Sequence, residues 1–220
     1  MFREKKLKGF PIATDGVIIF FIVIGIALLV QIFSDLAGLI ILLLGLFVLF
    51  FFRNPKRESK ASGESLLSPA DGKVMSVSEI DEPDFIGGRA VKVTIFLSLF
   101  NVHINRSPIE GVIGYHAYRE GKMLPAFKSH ASEINERNTI GIEASDGFRV
   151  IVHQITGFIA RRIVWWVRTG DKLARGERFG LIRFGSCTEI IMPAGTDIKV
   201  AEGQNVRGGI TIIGVKKSGF

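Results

Sequence analysis

Two runs without a charged residue, 17–33 and 36–52, dominate the N-terminal quarter of the chain, and only Ser34 and Asp35 separate them. As one helix the combined stretch would run roughly 54 Å, far beyond a hydrocarbon core of ~30 Å. As two helices of about 25 Å each, it suits a tight hairpin, transmembrane or re-entrant. A cleaved signal peptide is the competing reading, and the length of the apolar stretch and the lack of a small-residue cleavage motif after it favour the hairpin. The pattern then changes. After the polar stretch 53–64 (RNPKRESKASGE), which reads as a linker, short apolar–polar alternations take over: KVMSVSEI, AVKVTIFL, GVIGYHAY, TIGIEAS, FRVIVHQI and RRIVWWV. Each fits a strand of five to eight residues with glycine or polar breaks between. Residues 124–135 fit a short helix or a long loop. The expected fold is mainly β, a sandwich or distorted barrel, in a domain covering 61–220 behind an anchoring segment covering 1–60.

A weak repeat runs through the C-terminal part. GDKLARGERFGLI (170–182) and GQNVRGGITIIGV (203–215) share a glycine, a short apolar step, a second glycine and an apolar strand. Such paired units occur in biotinyl/lipoyl-like barrel-sandwich hybrids. A carrier domain of that type would present a lysine between the halves, yet none lies between Arg183 and Thr196.

Charge refines the membrane reading. The chain has a formal net charge of +7, and residues 1–60 hold eight Lys/Arg against four Asp/Glu. Basic residues precede the first apolar run and follow the second, which puts both ends on the cytoplasmic face of the cell membrane with Asp35 at the far interface. The basic balance is therefore partly topological and calls for an anionic lipid surface rather than nucleic acid, since no basic–aromatic interleaving suits base stacking. One cysteine, Cys187, excludes an internal disulfide and a thiolate zinc cluster, and no metal-ligand spacing appears.

The candidate chemistry lies at Gly185-Ser186-Cys187. Glycine offers no Cβ to obstruct attack on its carbonyl, and the serine hydroxyl needs only a base and an oxyanion stabiliser for an N→O acyl shift. By itself Gly-Ser is usually a turn. Around it stand SPADGKVMSV (68–77), FLSLFNVHINRSPIEG (96–111), NERN (135–138), QITGFIARRI (154–163) and FGSCTEIIMP (184–193). With the apolar N-terminal hairpin, these strings resemble the phosphatidylserine decarboxylase family in its short, membrane-anchored form, over nearly the whole chain. Archaetidylserine decarboxylases share the pattern.

The resemblance implies that the chain cuts its own Gly185–Ser186 bond into chains 1–185 and 186–220, which remain together as a heterodimer. Ser186 becomes a covalent pyruvoyl cofactor, which forms a Schiff base with the amine of an anionic phospholipid, phosphatidylserine, and draws off the electrons as CO2 leaves to give phosphatidylethanolamine. It also implies that Asp71 belongs to the self-cleavage triad and that His103 acts in decarboxylation. The family's bacterial long form has a second histidine three residues after the first, the usual triad base, where this chain has Arg106, which cannot serve as a base. Either His103 serves both steps in turn, or the base for cleavage comes from elsewhere. Arg137, Arg161 and Arg162 are candidates for holding the substrate phosphate or carboxylate. His116, His130 and His153 read as structural, and Cys187 as a small packed residue. Residues 122–128 (KMLPAFK) are expected to dip into the membrane interface. Two other readings remain: a non-catalytic membrane-tethered binding module, and an intact serine hydrolase, for which the G-x-S-x-G elbow is missing. A homo-oligomer is left open.

Overall fold

The computed structural model describes residues 11–61, 63–122, 124, 134–157, 162–183 and 186–217. It divides into two units, Met1–Lys56 and Arg57–Phe220. In the first, the charge-free runs form α1 (Thr14–Gln31) and α2 (Asp35–Phe51). Ser34 breaks the run because its hydroxyl accepts the Ala37 N–H at 3.4 Å and caps α2, with Asp35 in the first turn complementing the helix dipole. The hairpin closes at its base, where Ala13 N donates to Phe52 O at 2.9 Å and Asn54 N to Pro11 O at 2.6 Å. Large apolar side chains such as Phe21, Leu29, Leu39 and Leu43 point outward. α1 is long and apolar enough to cross a membrane; α2 is apolar and one residue shorter.

The second unit is mainly strand among the described residues: β1 (Ser65–Leu67), β2 (Gly72–Glu82), β3 (Gly88–Leu97), β4 (Ile104–Arg106), β5 (Gly111–Arg119), β6 (Arg137–Glu143), β7 (Arg149–Thr156), β8 (Arg162–Trp165), β9 (Lys172–Leu173), β10 (Arg178–Arg183), β11 (Ser186–Pro193), β12 (Asp197–Ile198), β13 (Asn205–Val206) and β14 (Ile212–Val215). Eight of them make one curled sheet in the order β13-β2-β3-β11-β7-β6-β5-β9. Two three-stranded sheets, β4-β10-β8 and β1-β14-β12, complete the unit. This is the expected mainly-β, distorted-barrel class. The six anticipated strands are present, the fourth shifted to 137–143 and the sixth described only from Arg162. The helix-or-loop segment 124–135 and the dipping segment 122–128 lie largely outside the described residues.

The weak repeat has a structural counterpart. In each copy a two-residue strand joins one edge of the large sheet (β9 at one end, β13 at the other), and the longer strand that follows leaves for a three-stranded sheet. Alternation sorts the faces. Val93, Ile95, Leu97, Ile140, Ile142, Val150, Val152, Ile190 and Met192 share the main core, whereas Ile151 and Ile191 pack with Ala90 on the opposite face. Ser186 and Thr188 therefore project to the core face, with Ile190 and Met192.

Candidate active site

Ser186 opens β11, a central strand of the large sheet. Its neighbours in register are Leu97 of β3 and Thr156 of β7. It is fully buried, and its Oγ makes no hydrogen bond among the described residues. Such a hydroxyl is uncommon, because buried polar groups ordinarily find partners. Gly185 and Arg161 lie outside the described residues.

His103 is brought to the same end of the sheet by two tethers. Ile182 N donates to His103 O at 3.2 Å, and four residues later the chain is at Ser186, a reach of at most about 14 Å. Ser186 in turn pairs with Leu97, six residues before His103. The imidazole is 1% exposed, and its Nδ1 lies 3.0 Å from Asn101 O. A carbonyl oxygen only accepts, so Nδ1 carries the hydrogen and Nε2 has the lone pair when the ring is neutral.

Asp71 follows a different partner. Arg57 grips its carboxylate with both terminal nitrogens, Nη2 to Oδ2 at 2.8 Å, and Gly208 N donates to Oδ1 at 2.8 Å. The bend that delivers this carboxylate needs Gly72, at φ +154°, where a Cβ would sit 2.1 Å from Phe96 O. Arg106 shares this corner and donates to Gly176 O at 3.0 Å. Burial first, then the nearby Arg57 and Arg178, lower its pKa to about 10, with Asp71 opposing. It stays a cation at neutral pH.

Arg137 begins β6 on the outer face, half-buried and paired in the sheet with Arg119 and Ile155, and no side-chain hydrogen bond of its guanidinium is seen among the described residues. Burial and then Arg119 push its pKa down, with Glu189 and Tyr115 opposing. It lines a cavity of about 190 Å³ with Tyr115, Arg119, Thr139 and His153. His153 bonds Thr139 Oγ1 at 2.9 Å, and its pKa is pushed down to about 3 by burial, then by Arg137, Lys92 and Arg119. Arg162, in contrast, is exposed on β8 opposite Arg183. Cys187 is buried with Ile155, and burial drives its thiol pKa up, which suits a packing residue and not a nucleophile.

The profile of the phosphatidylserine decarboxylase family matches residues 44–214. The chain belongs to the phosphatidylserine decarboxylase family. Among its relatives, the phosphatidylserine decarboxylase proenzyme of Carboxydothermus hydrogenoformans is 57% identical over 178 residues, covering 80% of this chain and 83% of that one. The proenzyme of Symbiobacterium thermophilum is 50% identical, covering 80% and 82%, and that of Syntrophus aciditrophicus 42%, covering 92% and 96%. The protein is accordingly an enzyme, a decarboxylase.

Within this family member, the strings that carried the resemblance meet in a way their spacing did not announce. Asn105 from FNVHINR, Asn138 from NERN, Gln154 from QITG and Thr188 from GSCTE are all fully buried and joined to one another. Asn105 Nδ2 donates to Thr188 Oγ1 at 3.0 Å, Gln154 Nε2 to Asn105 Oδ1 at 2.9 Å, and Asn138 Nδ2 to Gln154 Oε1 at 2.8 Å. Sequence reasoning passed over these four residues. The available signal was polar side chains at inward positions of otherwise apolar strands.

Proposed function

We propose that the protein decarboxylates phosphatidylserine to phosphatidylethanolamine with a pyruvoyl group that it makes from Ser186 by breaking the Gly185–Ser186 bond. The observation that carries this reading is Ser186 itself, a fully buried serine at the first position of a central strand, its Oγ unpartnered by described residues. A serine kept for packing would be expected to bond its neighbours; one kept as the precursor of a carbonyl group needs room and a base.

In this reading His103 Nε2 takes the Ser186 Oγ proton, and Oγ attacks the Gly185 carbonyl carbon. The C–N bond breaks, the released amine is protonated, and an ester joins the two residues. Removal of the Ser186 Cα proton expels Gly185 as a carboxylate and leaves a dehydroalanine. Water then adds and ammonia departs, which leaves the ketone. The pyruvoyl carbonyl supplies an electron sink for the substrate amine's carbon as CO2 is lost. His103, the same imidazole, returns a proton to that carbon. Asp71 supports the site by fixing Arg57 and the Gly208 turn, and Arg137 with Arg119, on the outer face of the sheet and so away from the reacting carbon, is left as a candidate for the head-group phosphate alone. Arg161 and Arg162 are further from a defined role. The hairpin confines the catalytic unit, residues 61–220, to the cytoplasmic face of the cell membrane, where the head group is presented.

The two chains would stay together after cleavage. β11 is held along eight residues by β3 and along six by β7, and Ile190, Ile191, Met192, Val206 and Ile213 of the 186–220 chain are buried. Each contributes about 1.5–3 kcal/mol. Purified protein on a denaturing gel with intact mass should show chain 186–220 without an N-terminal amine, together with CO2 release from phosphatidylserine vesicles. Ser186→Ala should remain one chain and release none. A full-length wild-type chain with an intact Ser186 would sink the proposal.

A further inference from the structure

The buried amides form a chain with a fixed direction. At its far end His116 Nε2 lies 2.8 Å from Asn138 Oδ1, and because a carbonyl oxygen only accepts, Nε2 is the donor. From there every link repeats the same sense: Asn138 donates to Gln154, Gln154 to Asn105, and Asn105 to Thr188. Each amide uses its oxygen toward His116 and its nitrogen toward β11. Such head-to-tail bonds polarise one another in a low-dielectric interior. Gly180 of β10 makes the room, since a Cβ there would stand 2.8 Å from Gln154 Nε2.

The chain stops at Thr188 Oγ1, which accepts and so retains its own hydrogen to donate. Four side chains flank it on the core face: Ile95 and Gln154 across the sheet, Ile190 and Ser186 along the strand. Two are apolar, and Gln154 has already committed its oxygen to Asn138. Among these four, Ser186 is the one whose oxygen has no partner among the described residues, and it is fully buried as Thr188 is. Residues two apart on a strand are about 6.6 Å apart at Cα, which leaves room between the hydroxyls for one small oxygen-bearing group.

We propose that Thr188 is a catalytic hydrogen-bond donor to the oxygen at position 186, and that Asn105, Gln154 and Asn138 are positioning residues that hold its hydroxyl in that sense. During self-cleavage the donor orients Oγ toward the carbonyl it attacks, with its own proton left for the base; during turnover it polarises the carbonyl made from Ser186. Asn105 stands two residues after His103, so the same chain fixes the segment that carries the base. The inference rests on the reading of Ser186 as the processed residue.

The test uses full-length protein synthesised in the presence of phospholipid nanodiscs, with appearance of chain 186–220 followed in time and CO2 release measured on the cut enzyme. Thr188→Val, which keeps the shape and removes the donor, should slow cleavage by about 10²-fold. Thr188→Ser should restore it to within about threefold, a rescue that a packing role does not predict. Gln154→Met should slow cleavage too, and the double variant should be little slower than Thr188→Val alone, because both changes act on one donor. Melting curves of the same substitutions placed on Ser186→Ala report the fold without cleavage. Wild-type speed in Thr188→Val, a serine variant as slow as the valine one, or multiplied defects in the double variant would each overturn the assignment. Should Thr188→Val not fold, Gln154→Met decides alone: slowed cleavage supports the donor chain, unchanged cleavage overturns it. An uncut wild-type chain would instead remove the parent reading.

Discussion

Asp71 holds Arg57 through both carboxylate oxygens and takes the Gly208 N–H on one of them. The motif that contains it suggested a partner for the imidazole; the bonds the structure shows instead join it to Arg57 of the linker and to the Gly208 turn. These two roles separate experimentally. Asp71→Asn should cost on the order of 3 kcal/mol, because it strands a largely buried guanidinium, and should slow cleavage. Arg57→Gln, measured by melting and by the rate of cutting, should lose stability while still cutting if Asp71 serves His103, and should lose both if Asp71 acts only through Arg57. His153 gives a pH signature. Its folded pKa of about 3 lies below the ordinary histidine value, so the unfolded chain binds the proton more readily. Its contribution to stability is complete above about pH 6.5 and is lost as pH falls toward 3, by up to about 1.4 kcal/mol per unit. His153→Gln should therefore flatten the acid limb of denaturant-unfolding stability between those values, and an unchanged limb would show that other groups set it.

At the scale of elements, what was legible follows from periodicity. The charge-free runs could only be apolar helices, and Ser34-Asp35 marked their junction because serine caps and aspartate suits a helix start. The alternating segments gave the strands and, through Ile95, Val152 and Ile190, the core face. Periodicity reports which face a residue occupies and says nothing about which residue it meets there. Gln154 and Asn138 therefore looked like interruptions, although they are bonded to each other and, through Asn105, to Thr188, which is 83 residues from Asn105 in sequence. The shortest strands, β9, β12 and β13, each of two residues, were below any pattern's reach, and pairing defines them. Arg137 and Arg162 looked equivalent in sequence; only the structure sets one in a cavity beside Arg119 and the other at a solvent-facing edge.

For the whole molecule, a central β11 has a consequence beyond catalysis. The uncut chain folds as one polymer, so β11 finds its slot between β3 and β7 by closing a loop. If the bond before Ser186 is broken, that search joins two separate molecules. The cut protein would then be kinetically trapped, durable until it first unfolds and poorly able to return. Refolding yield after dilution from denaturant should rise with protein concentration for the processed enzyme and be independent of it for Ser186→Ala under conditions free of aggregation. Equal concentration dependence in the two would mean that no break had been made. A single self-inflicted cut would thus turn a reversible fold into one with a finite lifetime, and give each molecule one assembly, made while its two parts were still a single strand of peptide.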